Sequence, residues 1–356
     1  MPTAHVLPQD LEAFCHQAML RLGVQEDDAR LGAQILTMTD TWGVHTHGTR
    51  QLRNLLKNFK VNRLDPNERA QIVREGPAWA LVDGRNAMPL GTAYRAMELA
   101  ISKAKANGIG YVGVYNTSHF GAAGYYTNMA AQQQMIGIAM CNTDPQMTAP
   151  GGRGKVLGTN PLSYAAPGGN HPAVFLDIAT SAAAANKVIR ARALGEPIPE
   201  GWLVDADGIP TTDPGGFPES GALMPMAGHK GYGFAVLVEV LCGVLTGASI
   251  GKEQASWIPY DDSSVPVNQG QTFIVIDAGA MMPADTFKER MNALIDYIHG
   301  SPRARGIDQI YLPGEIEWKK RAAVLERGMT LPSDVVESLR GLAADAGLEF
   351  PFALID

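Results

Sequence analysis

Several things are scarce in this sequence. Only three cysteines occur in 356 residues, Cys15, Cys141 and Cys242. They are odd in number and far apart, so they build neither a disulfide framework nor a zinc knuckle, and buried free thiols are expected. Charged residues make up only 18%, and basic residues trail acidic ones, 29 against 36, for a net charge of −7. The attraction to phosphate backbones that drives general nucleic-acid binding is therefore missing. No segment reaches the roughly 18 uninterrupted apolar residues of a membrane-spanning helix. Residues 1–10 carry neither a basic nor an apolar leader region. A chain with no nucleic-acid partner and no membrane contact, in a reducing cytoplasm, is expected.

What is present is a globular composition, 46% hydrophobic. At roughly 150 residues per domain, the length suits two or three lobes or one large α/β unit. Apolar residues at helical spacing (Leu11, Phe14, Met19 and Leu20; Leu31, Ile35, Leu36 and Met38; Leu52, Leu55, Leu56 and Phe59) predict three opening helices, the last over 48–59. From about residue 70 strand-like runs at 79–82, 111–115, 136–141, 173–177 and 273–277 alternate with helices at 92–105, 124–134 and 232–245. Amphipathic helices return at 287–299 and 333–344. A central α/β layer with a helical lobe from both chain ends is expected, the lobe spanning 1–75 with 286–356 returning to it and the α/β domain spanning 76–285. Glycine and proline cluster between 145 and 235, which predicts loops where chemistry tends to sit.

Two glycine motifs fail on context. Gly108, Gly110 and Gly113 match GxGxxG, but a dinucleotide fingerprint needs a strand before the glycines and a helix after them. Here the helix comes first, so Gly108 reads as a helix stop. Gly151, Gly152, Gly154 and Lys155 approach a P-loop, yet Ala149 and Val156 occupy the positions that a glycine and a hydroxyl would need. His45 and His47 invite a metal reading, but no third ligand lies at a recognised spacing, and no metal is expected.

Other clusters hold together. Thr46, His47 and Gly48 sit where a loop enters a predicted helix, whose positive end favours a neutral imidazole able to accept a proton. Arg50 follows within a turn, as a substrate carboxylate would require; the same residues also read as a capped helix with a packed histidine. His119 lies in a strand-to-helix junction from Asn116 to Gly121, the position at which α/β proteins present ligands. Thr159 and Asn160, then Asp177, Thr180 and Ser181, mark two further junctions. Lys230 and Gly231 open a long apolar helix where a phosphate would fit.

Taken in order, Asp40, Thr41, Trp42 and Gly43, then Thr46, His47 and Gly48, the run Ser118 to Ala122, the run Leu157 to Pro161, the run Leu176 to Ser181 and the run Lys230 to Gly233 resemble the malate/L-lactate dehydrogenase family, over about residues 10–345. This family is distinct from the Rossmann-fold malate and lactate dehydrogenases and includes ureidoglycolate, sulfolactate and diketo-gulonate enzymes and piperideine-2-carboxylate reductases. The resemblance implies an NAD- or NADP-dependent homodimer with a three-layer α/β/α domain, its mixed sheet of non-Rossmann topology like that of sulfolactate dehydrogenase, plus the helical lobe.

By the same resemblance, Thr46 replaces the family's usual serine beside His47 in proton transfer, with Asp177 as an orienting carboxylate. His119 matches the histidine assigned as proton acceptor in the ureidoglycolate branch. Cofactor contacts map to His119, Phe120, Gly121, Ala122 and Ala123, to Asp177, Ile178 and Ala179, to Lys230 and Gly231, and to Leu312, Pro313 and Gly314. Substrate contacts are expected from Arg50, Arg53, Asn142, Thr143 and Asn160. Two departures stand out. The family's arginine four residues after the histidine is Gln51 here, with Arg50 one place earlier. Asp144 stands where some members have a serine or a basic residue.

The expected reaction is hydride transfer between nicotinamide and C2 of a small 2-hydroxy or 2-keto acid. Reduction of a cyclic imine carboxylate is the enzymatic alternative. A catalytically silent small-molecule binding protein and a metal-dependent hydrolase on His45 and His47 are the readings of other classes.

Overall fold

A computed structural model describes residues 2–259 and 264–355. The chain opens with strand β1 (Thr3–Val6) and helices α1 (Pro8–Arg21) and α2 (Glu26–Thr41). Two 3-10 turns, His45–His47 and Thr49–Gln51, precede α3 (Leu52–Lys60). The helix expected over 48–59 is therefore shorter, because Gly48 has an extended backbone that separates the turns.

The next elements are β2 (Gln71–Gly76), β3 (Trp79–Asp83), α4 (Pro89–Asn107), β4 (Ile109–Thr117), α5 (Ala123–Gln132), β5 (Met135–Cys141), β6 (Leu162–Ala166) and β7 (Val174–Ile178). After α6 (Ala185–Leu194) come three short strands, β8 (Leu203–Val204), β9 (Pro210–Thr211) and β10 (Ala222–Leu223). Helix α7 (His229–Val238) runs on as a π-helical segment, Glu239–Val244. The chain closes with β11 (Gln269–Asp277), α8 (Ala278–Met281), α9 (Ala284–His299), α10 (Glu315–Arg327), β12 (Met329–Leu331), α11 (Ser333–Ala346) and β13 (Leu354–Ile355).

The main sheet has seven strands in the order β2-β3-β4-β11-β5-β6-β7. Only the β3–β4 pair is parallel; the other pairings are antiparallel. A doubly wound dinucleotide-binding sheet is mostly parallel, so this mixed order is a different topology. Helices α4 and α5 cover one face, and the π-helical segment covers the other. On that second face the hydroxyls of Thr272 and Tyr111 both donate to the Leu241 carbonyl, at 2.9 and 3.2 Å. The result is three layers. Val112, Val114, Phe273 and Val275 at the sheet's centre are fully buried, and one core cluster runs from them to Leu11, Leu36 and Leu339 in the terminal helices.

Strands β12 and β13 flank β1 in a small antiparallel sheet that ties the two chain ends together. The lobe boundary expected at residue 75 falls inside β2. That edge strand went unread because its side chains, Ile72 and Val73 among them, are largely exposed. The glycines of the GxGxxG match serve packing. Gly108 caps α4 at φ 82°, and a Cβ on Gly110 would strike the backbone of Ala100 in α4, so helix and strand approach closely and no phosphate loop forms.

Candidate active site

Asp40 organises the entrance to the site. Its fully buried carboxylate, near the end of α2, accepts hydrogen bonds from the backbone and hydroxyl of Thr49, at 2.9 and 2.6 Å, and lies 2.8 Å from His45 Nδ1. Three bonds on one buried carboxylate fix the turn carrying His47. Thr46 Oγ1 lies 3.0 Å from His47 Nδ1, the partnership expected of it. His47 closes a 3-10 turn five residues ahead of α3, so the helix dipole expected to favour its neutral form is not in place. Its pKa is nevertheless lowered, by burial first and then by the nearby Arg50 guanidinium. The ring keeps surface open to the cavity although protein surrounds it.

The rings of His47 and His119 stack with centroids 5.6 Å apart, and His119 in turn stacks on Trp257 at 4.3 Å. Burial and the neighbouring His47 push the His119 pKa down to about 3. The Gly121 backbone N–H donates to His119 Nδ1 at 3.2 Å. A neutral imidazole has one donor and one acceptor nitrogen, so the His119 proton resides on Nε2.

Both histidines border a cavity of about 660 Å³, lined also by the start of α5, the ends of β5 and β7, the start of α6, Trp257 and the start of α10. Phe120, Gly121, Ala122, Ala123, Asp177, Ile178, Ala179 and Gly314 all line it, as does Thr143, whose hydroxyl accepts from the Thr159 N–H at 3.0 Å. Asp177 accepts from the Gly124 N–H at 2.7 Å, and no hydrogen bond to either histidine is formed among the described residues. Burial drives the Asp177 pKa up to about 6 against that hydrogen bond, and Glu317 adds to the rise.

Other expected site residues lie elsewhere. Arg50 pairs with Asp334 at 2.9 Å and Arg53 with Asp345 at 2.8 Å; both arginines tie α3 and its preceding turn to α11, and neither borders the cavity. Asn142 and Asn160 are wholly buried braces. Asn142 donates to the Ser249 carbonyl and accepts from the Gly270 N–H, and Asn160 donates to Glu239 and accepts from the Thr143 N–H. Leu312 and Pro313 support the rim from behind, the Pro313 carbonyl accepting from the Phe175 N–H. Lys230 and Gly231, in the first turn of α7, lie outside the lining.

Sequence reasoning missed Lys187, Glu317 and Trp257. Lys187 is the one lysine or arginine lining the cavity among the described residues. Its only sequence signal was its place shortly after the Thr180-Ser181 junction. Trp257 had none beyond being an aromatic in a loop. Among the described residues no group of three His, Cys, Asp or Glu side chains is placed to hold a metal.

The residues present fit a nicotinamide dinucleotide. The volume lies within the roughly 300–1,000 Å³ of ligand pockets. Helix α5 starts without a side-chain cap and with small Ala122 and Ala123, leaving amides for an anion. Asp177 offers a hydroxyl acceptor and Lys187 a positive charge.

The malate/L-lactate dehydrogenase family model matches residues 6–340. The chain belongs to that family. This dehydrogenase is 35% identical to malate dehydrogenase from Pyrococcus horikoshii over 353 residues, 96% of each chain. It is 32% identical to the NAD(+)-dependent ureidoglycolate dehydrogenase of Escherichia coli, over 93% of each. A pyrroline- and piperideine-2-carboxylate reductase from Pseudomonas putida is 29% identical, over 94% of this chain and 95% of its own. The solved structure of sulfolactate dehydrogenase from Methanocaldococcus jannaschii superposes with a TM-score of 0.89 at 34% identity, covering 98% of both chains. The chain is accordingly an oxidoreductase of hydroxy acids with the fold of these enzymes.

Proposed function

We propose that this enzyme moves hydride between nicotinamide and C2 of a small 2-hydroxy or 2-keto acid, with His47 carrying the oxygen-bound proton. The observation that carries the reading is the fixed tautomer of His119, stacked beside a second histidine in the same cavity. His119, neutral and protonated on Nε2, is a hydrogen-bond donor and holds the substrate oxygen. In this reading His47, whose Nδ1 lies 3.0 Å from the Thr46 hydroxyl, carries its proton on Nδ1 and presents a bare Nε2 as general base. The bound cofactor supplies the hydride chemistry. Trp257 and Phe120 keep water from the histidine side, while Lys187 and the start of α5 meet the cofactor's phosphates. Asp177 and Glu317 favour NAD over NADP, since a carboxylate accepts a ribose hydroxyl and repels a 2′-phosphate.

The test is a panel of 2-keto acids with both nicotinamides, followed by absorbance, on wild type, His47→Gln and His119→Gln. Loss of turnover in His119→Gln with near-normal turnover in His47→Gln exchanges the two roles. Reduction of a cyclic imine carboxylate, with the proton delivered to nitrogen, is the second reading, supported by the likeness to the Pseudomonas putida enzyme.

We also propose a cytoplasmic homodimer built from a helical lobe (1–75 and 286–356) and an α/β domain (76–285). Helix α7 and its π-helical continuation pack on the sheet yet expose Phe234, Leu237, Val240 and Val244, and a helix apolar on both sides belongs in an interior. Light scattering of Leu237→Glu against wild type reads the dimer directly.

A further inference from the structure

The arginines expected to hold the substrate carboxylate are paired away from the cavity, and a carboxylate stands in its lining instead. Asp144 follows β5 and lines the cavity beside Thr143 and Gln146. Its Oδ2 accepts from the Gln146 amide at 3.1 Å, and no cation lies within ion-pair distance of it among the described residues. Lys155, whose charge acts on it, donates to the Pro218 carbonyl and sits over the Phe217 ring.

Asp144 is also tied to the histidine side. The carbonyl of Asn142, two residues earlier, accepts from Gln254 and Gln269, and Gln254 lies three residues before Trp257, the ring stacked on His119. Burial pushes the Asp144 carboxyl up against the lowering by the Gln146 amide, its own backbone N–H and the Lys155 charge, so the ionised group is only partly compensated. A half-buried carboxylate with no ion-pair partner carries part of the cost of a buried charge, and a ligand of opposite charge relieves it. An anionic side chain, such as the second carboxylate of a dicarboxylic acid, meets repulsion at the same place.

Resting on the hydride-transfer reading above, we infer that Asp144 is a specificity-determining residue that selects a 2-hydroxy or 2-keto acid whose side chain carries a cationic nitrogen, ammonium or guanidinium. Gln51, which also lines the cavity, is uncharged and adds no competing positive charge to that lining. The ion pair forms between the substrate nitrogen and Asp144 while C2 is presented to the histidines.

The test compares kcat/KM for the 2-keto acids derived from arginine and lysine, for 2-ketohexanoate with its uncharged side chain and for oxaloacetate with its anionic one, in wild type, Asp144→Asn and Asp144→Lys. Wild type should prefer the arginine-derived acid over oxaloacetate by tenfold or more. Asp144→Asn should reduce that ratio at least tenfold, and Asp144→Lys should reverse it. The lysine-derived acid closes to a ring imine by losing water; preference for it with the same loss in Asp144→Asn places the cationic nitrogen in the ring next to C2. Preference for oxaloacetate in wild type, or an unchanged ratio in Asp144→Asn, overturns the assignment.

Calorimetric titration with the arginine-derived 2-hydroxy acid reads Asp144 without turnover. Saturable binding that Asp144→Asn weakens tenfold supports it; equal or no binding in both proteins overturns it. Turnover absent for every acid, with that binding difference intact, counts against hydride transfer and not against Asp144. The Tm of each variant shows that it is folded.

Discussion

The backbone N–H of Gly121 donates to His119 Nδ1 at 3.2 Å. A single bond from a donor that cannot be reversed thus fixes the tautomer of one histidine, and the proposed function gives proton acceptance to the other, His47, whose ring lies 5.6 Å away.

His47→Ala should lower kcat about a hundredfold to ten-thousandfold, the range for losing a general acid or base. By the proposed function the neutral form of His47 accepts the proton, and its pKa is lowered from 6.5. Oxidation of the hydroxy acid should therefore be flat in kcat/KM above that pH and fall only in more acidic solution. A limb at or above pH 6.5 assigns the base elsewhere.

Trp257→Ala uncovers one face of His119. Since burial is the main cause of its depressed pKa, that pKa should climb from about 3 toward 6.5, adding a second acid limb to the rate profile. Trp257→Phe, which retains a stacking ring, should keep the wild-type profile.

Arg50→Ala removes a half-exposed pair with Asp334, worth under about 1 kcal/mol, and should leave KM for 2-keto acids within about twofold. Its charge lowers the His47 pKa, so the acid limb should move up toward 6.5. A tenfold rise in KM restores Arg50 as the substrate anchor.

Asp177 ionises at about 6. If its carboxylate accepts a ribose hydroxyl, NADH should bind about fivefold more weakly below that pH, the roughly 1 kcal/mol between charged and neutral hydrogen bonds. Asp177→Asn should show no such step in a fluorescence titration. The same raised pKa means the folded chain binds more protons than the unfolded one between 3.8 and about 6, so this group makes the protein less stable as pH rises through that window.

Gly314 has φ 89°, and an added Cβ would lie 2.8 Å from Cε1 of Phe175 and closer still to Cδ1. Gly314→Ala combines a strained backbone with overpacking, about 1–3 kcal/mol, and narrows the cavity rim. A lower Tm and a weaker NADH Kd together check it.

Local information settled a good part of this protein. Apolar spacing located α1, α2, α4 and the central strands because their buried faces repeat with the period of the element. The reversed order of α4 and β4 alone excluded a dinucleotide fingerprint at Gly108. The pairing of Thr46 with His47 is a neighbour contact, so it too was legible. What no local pattern carries is a partner distant in sequence. Asp334 and Asp345 take Arg50 and Arg53 away from the cavity across almost 300 residues of chain, and Glu239 and Ser249 turn Asn160 and Asn142 into braces. Trp257 reaches His119 because its loop is held by Gln254 at the end of β5, by Asn58 of α3, which donates to the Trp257 carbonyl, and by Arg63, which donates to the Ser256 carbonyl. Residue types and spacing named the chemistry, whereas closure of the sheet and docking of α11 decided which charges face the substrate. An ion pair forms with whichever opposite charge folding brings within about 4 Å, and the linear sequence does not encode that distance locally.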